Sequence, residues 1–146
     1  MRRCLLACAA LLAAGAALAD VTVEDAWVRA TVPGQKTSGA FMTLTASADH
    51  TLVGARSPVA GVVEVHEMAM DDQMIMRMRA VQAIALPAGK PVALKPGGYH
   101  VMLMDLKDVL QAGQKVRLTL VYKDSKGGLD DVDVEAVVKP LTAKLH

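Results

Sequence analysis

"VVEVHEMAMDDQMIMRMRAV" (residues 62–81) is the stretch that decides the fold class. Val62–Met68 mostly alternates apolar with polar, and Met74–Val81 alternates methionine with arginine. A period of two is the mark of an extended strand, in which residues two apart share a face. Asp71-Asp72-Gln73 reads as the turn between two antiparallel arms. His66 and Met68 then point the same way, as do Met74, Met76 and Met78, while Arg77 and Arg79 fall on the opposite, wet face. Five of the thirteen residues from His66 to Met78 are methionine.

The same pattern extends in both directions. "VTVEDAWVRA", "GAFMTLTA", "YHVMLMDL", "KVRLTLVY" and "DVDVEAVV" are short and mostly alternating. Between them lie turn residues: Pro33-Gly34, Asp49-His50, Ser57-Pro58, Pro87-Ala88-Gly89, Pro96-Gly97-Gly98 and Gly127-Gly128. No helical period of useful length follows residue 19. Many short strands at this spacing predict an all-β, antiparallel sandwich or barrel in a single domain. The expected limits are residues 20–140 for the domain and 141–146 for a frayed tail.

Residues 1–19 read as a cleaved secretory signal. Arg2 and Arg3 precede the apolar run Leu5–Leu18, and Ala17-Leu18-Ala19 is a small-x-small cleavage site before Asp20. A membrane anchor is the alternative, but the run is short for a span. "LLAC", ending at Cys8, loosely resembles a lipoprotein signal, but it comes early, with little apolar sequence before it. Cleavage at Asp20 removes both cysteines, leaving no disulfide, thiol nucleophile or thiolate ligand. The 16 Lys and Arg, less Arg2 and Arg3, leave 14 basic residues against 15 acidic ones. Near-neutrality argues against nucleic acid and against a strongly charged membrane face. Trp27, Phe41, Tyr99 and Tyr122 are too few for a stacking platform. No nucleophile–base pair or phosphate loop is present, so an enzyme is not expected.

What is left is sulfur and imidazole. His100, Met102 and Met104 share a face, with Val101 and Leu103 supplying an apolar face opposite. Methionine is an ordinary core filler, and Met74 and Met104 are the best candidates for that role. His66, Met78, His100 and Met102 are harder to explain as packing, because burying two imidazoles costs free energy unless their nitrogens are satisfied. Thioethers are soft, neutral ligands that favour Cu(I) over Zn(II), Mg(II) or Ca(II). A blue-copper electron carrier would need a cysteine ligand.

The spacing His66, eleven residues, Met78, twenty-one residues, His100, one residue, Met102 resembles the signature of the periplasmic copper chaperones of the PCuAC family. "DAWVRATVPGQKTSGAFMTL", "GARSPVAGVVEVHEM" and "LKPGGYHVMLMDLK" are similar to the same family, so the resemblance runs from about Asp20 to Lys139. It implies a cupredoxin-like, Greek-key β-sandwich that binds one Cu(I) in the periplasm, without stable membrane insertion. It further implies delivery toward terminal oxidases, notably cytochrome oxidase subunit II, alongside Sco-type proteins. By matching positions, His66, Met78, His100 and Met102 would be the ligands. Some members place a methionine directly after the first histidine; here Glu67 stands there, expected on the outer face. The His- and Met-rich C-terminal extension of other members, with its second site, is missing. Two competitors remain: copper storage or tolerance without an acceptor, and a metal-free sandwich that docks a protein through exposed methionines.

Elsewhere, His50 is expected in a solvated loop, and His146 at the terminus has no assigned role. Trp27 is expected as a core anchor. Asp130, Asp131 and Asp133 lack the glycine and terminal glutamate of a calcium loop and read as a solvated face.

Overall fold

The computed structural model describes residues 20–141. Residues 1–19, expected to be a signal, with both cysteines, and His146 lie outside the described residues. The described residues form ten strands and no helix: β1 (Val21–Arg29), β2 (Ser38–Ala46), β3 (His50–Arg56), β4 (Ala60–Met70), β5 (Met76–Ala80), β6 (Ile84–Leu86), β7 (Val92–Leu94), β8 (His100–Leu106), β9 (Lys115–Asp124) and β10 (Leu129–Lys139). Hydrogen bonding orders them β5-β4-β8-β2-β1-β10-β9-β3-β6, with β7 added to β2. All pairings are antiparallel except β1 with β10.

Strand β1 lies between the two halves. A bulge between Glu24 and Trp27, with Asp25 at φ 54°, kinks it. Its C-terminal part then pairs with β2 on one side and β10 on the other. The sheet folds over so that β3 meets β4 and β6 meets β2. Leu44, Val101 and Leu103 from one half, and Leu52, Val116, Leu118 and Leu120 from the other, are buried in one core. Strand β9 shows why this sequence folds this way: Val116, Leu118, Leu120 and Tyr122 are buried, while Lys115 and Arg117 are exposed and Thr119 and Val121 half-buried on the other face.

Several expectations need correction. Met74 is not core: it is 76% exposed at the β4–β5 tip, where φ 66° breaks the alternation that starts again at Met76. Met104 is only half-buried, and the buried methionine among the described residues is Met42. His50 is not solvated. It opens β3, is 8% exposed, bonds the Ala48 carbonyl through Nδ1 at 2.6 Å, and meets Tyr122 edge-on at 5.3 Å. Trp27 is half-buried and packs on Phe41, 4.6 Å between ring centres. Asp131 and Asp133 do face solvent, paired with Arg56 and Thr119.

Candidate metal centre

Three adjacent strands, β5, β4 and β8, carry the candidate residues. In this register His66 lies opposite His100, Met68 opposite Met78, and Glu64 opposite Met102. The two imidazole rings stand 5.8 Å apart. A cleft of about 270 Å³ opens beside them, lined by Met68, Met78, His100 and Met102, with Phe41 and Pro96 among its walls. His66 stands behind this cleft against His100. The structure therefore brings all four sequence-nominated residues to one place, the histidines inside and Met78 at the exposed rim.

The hydrogen bonds fix which ring nitrogens are free. The Gly98 carbonyl can only accept, so His100 Nδ1 carries the hydrogen that reaches it at 3.1 Å. Gly98 is held by the Pro96-Gly97 turn, where Gly97 has φ 85° and the Gly98 N–H donates to the Lys95 carbonyl. On His66 the bonded atom is Nε2, 2.8 Å from the Glu64 carboxylate. The remaining nitrogens, His100 Nε2 and His66 Nδ1, are buried and have no hydrogen-bond partner. Orphaned buried nitrogens are rare, and each costs about 1–3 kcal/mol. Burial holds the His100 imidazole below its ordinary pKa of 6.5; the Gly98 carbonyl opposes this and the nearby His66 adds to it. His100 Nε2 and His66 Nδ1 are thus the two unpartnered ring nitrogens beside three thioethers.

Among the described residues, no three His, Cys, Asp or Glu side chains cluster as a hard-cation site. The donor set is soft. Sequence reasoning passed over two members of this neighbourhood. Met68 shares the His66 face and lines the cleft, and Glu64, two residues before His66, fixes the His66 tautomer as carboxylates do behind metal-bound histidines. Glu67 points away and pairs with Arg79 at 2.6 Å.

The hairpin tip is held by Asp71. Its Oδ1 accepts from the Gln73 and Ile75 N–H groups, and its Oδ2 pairs with Arg77. Arg77 first, then the Ile75 amide, hold this carboxyl below its ordinary 3.8; burial opposes them, and the Gln73 amide adds the least. A lowered carboxylate stabilises the fold above its ordinary value and loses that effect as pH falls through the folded value. The Gln73 and Ile75 amides should therefore stay protected from hydrogen exchange at pH 5, and Asp71→Ala should remove that protection. Equal protection in the variant would mean that Asp71 does not hold the tip.

The LpqE-like lipoprotein family matches residues 21–138. The chain belongs to this family. Lxx21020 of Leifsonia xyli subsp. xyli, whose name describes a lipoprotein, is 37% identical over 104 residues; the match covers 71% of this chain and 63% of that protein's length. Among solved structures, the copper-bound PCuAC domain from PmoF2 is similar at 28% identity and TM-score 0.66, covering 86% of this chain and 97% of that one. The Cu(I) form of DR1885 from Deinococcus radiodurans is similar at 35% identity and TM-score 0.61, covering 88% and 85%. The resemblance to PCuAC proteins and the cupredoxin-like all-β fold it implied are both borne out.

Proposed function

We propose that this LpqE-like protein is a periplasmic Cu(I) chaperone, not an enzyme, and that His66, Met78, His100 and Met102 bind its cargo. The observation that carries this reading is the pair of buried, unpartnered imidazole nitrogens, on His66 and on His100 next to it, beside a methionine-lined cleft that His100 helps to wall. Imidazole and thioether donors, with no carboxylate among the four, suit a soft monovalent ion. The copper-bound PmoF2 domain and the Cu(I) form of DR1885 support it.

Transfer would proceed by ligand exchange. Met78, 47% exposed at the rim, is the ligand an acceptor meets first, while the buried histidines hold the ion until the acceptor's own donor engages. The proposed acceptors are the copper site of cytochrome oxidase subunit II or a Sco-type protein. Storage or tolerance is the competing use of the same site; loss of oxidase activity on gene deletion, restored by added copper, separates delivery from storage. Export with cleavage before Asp20 belongs to the same proposal. The lipoprotein family name favours a second reading, lipidation at Cys8, and the intact mass of the exported protein decides between them.

The deciding experiment is an anaerobic Cu(I) titration against a competing chelator, with X-ray absorption on the loaded sample. One tight equivalent with mixed sulfur and nitrogen scattering is expected. Met78→Ala and Met102→Ala should each weaken binding about tenfold, or roughly 1.4 kcal/mol, without unfolding the domain. Unfolding with affinity intact would return these methionines to packing.

A further inference from the structure

The β4–β5 hairpin carries more sulfur than the centre just described uses. Met70 lies directly opposite Met76, two positions beyond the Met68–Met78 pair. By alternation, both face the same side of the sheet as Met68, Met78 and His66. Opposed Cβ atoms in such a pair are about 5 Å apart, so two flexible thioethers can reach one ion. Met74, at the tip, adds a third.

These side chains contribute nothing to the core: Met70 is 56% exposed, Met74 76% and Met76 47%. Met70 and Met76 share an exposed face and Met74 is exposed at the turn that joins their strands, so the three form a patch, unlike a lone surface residue. Met74 also sits at φ 66°, a left-handed conformation in which glycine is free and a residue with a Cβ is strained. The tip is fixed in that form by the Met74 N–H on the Asp71 carbonyl and by the Asp71 side chain. A thioether thus occupies a position where the backbone favours glycine. The cations of β5 do not compete, because Arg77 and Arg79 pair with Asp71 and Glu67.

We propose that Met70, Met74 and Met76 form a second, outer site for a soft monovalent cation, Cu(I) or Ag(I), which captures the ion at the hairpin tip and passes it along Met68 and Met78 to the inner histidines. The capture site stands alone; the passage inward rests on the copper reading above. At each step one sulfur–metal bond forms as another breaks, with no electron or proton moved. Successive methionine pairs are about 7 Å apart along the strands, within reach of two flexible side chains from either pair. An all-thioether site holds the ion less firmly than one with imidazoles, so the ladder runs toward tighter binding.

The test uses Ag(I), a redox-stable probe, and the mature protein labelled at its methionine methyls. The first equivalent should shift the NMR signals of Met78 and Met102, and a second should shift those of Met70, Met74 and Met76. The variant Met70→Leu, Met74→Gly, Met76→Leu should lose the second equivalent, keep the inner shifts, and load its inner site more slowly. Outer methyls that stay unshifted in excess Ag(I), or a second equivalent retained by the variant, overturn the site. Unchanged loading overturns the relay. If the outer methyls shift and the inner ones do not, the outer site stands and the copper reading of the histidines fails. If only the inner ones shift, this inference fails alone.

Discussion

Replacing His100 with leucine should abolish copper retention and, at the same time, make the metal-free protein more stable. The two effects have one cause. His100 is 4% exposed, and its Nε2 has no hydrogen-bond partner. Leaving that nitrogen desolvated costs the apo fold about 1–3 kcal/mol, and leucine fills similar space without a polar atom. The other side of the ring is not missed, because the Gly98 carbonyl still accepts from the Met68 N–H at 3.2 Å. A net gain of about 1 kcal/mol would raise the apo Tm by roughly 3–6 °C for a domain of this size.

Copper reverses the order. Ligand binding adds RT ln(1 + [L]/Kd), or about 4 kcal/mol when free Cu(I) is a thousandfold above Kd. The native protein should gain that increment, and His100→Leu should gain none. Losing an outer-shell partner already costs 10–100-fold in metal affinity, so losing the imidazole itself should cost at least about 100-fold. Anaerobic melts with and without Cu(I) read both quantities, and the curves of the two proteins should cross on loading. A variant that melts lower without metal would show that His100 is a packing residue. One that keeps native affinity would remove His100 from the ligand set.

Much of this was legible in the sequence, for a definite reason. Strands such as β9 and the two arms at Met68 and Met78 are long enough to show a period, and a period assigns faces. Strands β6 and β7 are three residues each, β6 ending before Pro87 and β7 set between Pro91 and Pro96, and three residues carry no period. Strand β3 was hidden because Gly54 and a register shift after Leu52 interrupt it, and because His50 follows a turn residue. His50 itself is directed onto Tyr122 by that strand, which a turn motif cannot reveal.

At the site, face arithmetic grouped the histidines and methionines within each strand. It could not show that His66 faces His100, because the register between β4 and β8 depends on pairing across 34 positions of chain. Glu64, two residues before His66, is within reach of the same arithmetic, but a hard carboxylate carries no signal in a soft-metal set. Met74 was misplaced because alternation was carried back into the turn, where only the backbone torsion shows that the strand has ended.

Gly39→Val should close the cleft from its back wall. Gly39 lies opposite Met102 across β2 and β8, and a Cβ built there would come 2.8 Å from Cζ of Phe41, too close for any real contact. The Phe41 ring covers the glycine, lines the cleft, stacks on Trp27 and stands 6.2 Å from His100. Trp27 packs against the ring on one side, and a shift toward His100 and Met102 would fill the cleft. Overpacking of this kind costs about 1–3 kcal/mol of stability. If copper binding needs the ring where it now stands, the same strain opposes the loaded state, and affinity falls by roughly 5–150-fold. Gly39→Val with Phe41→Leu should recover most of the stability and part of the affinity, since the smaller side chain yields the space. Native copper affinity in the single variant would show that Phe41 moves away from the metal side, and that the position of the ring does not shape the centre.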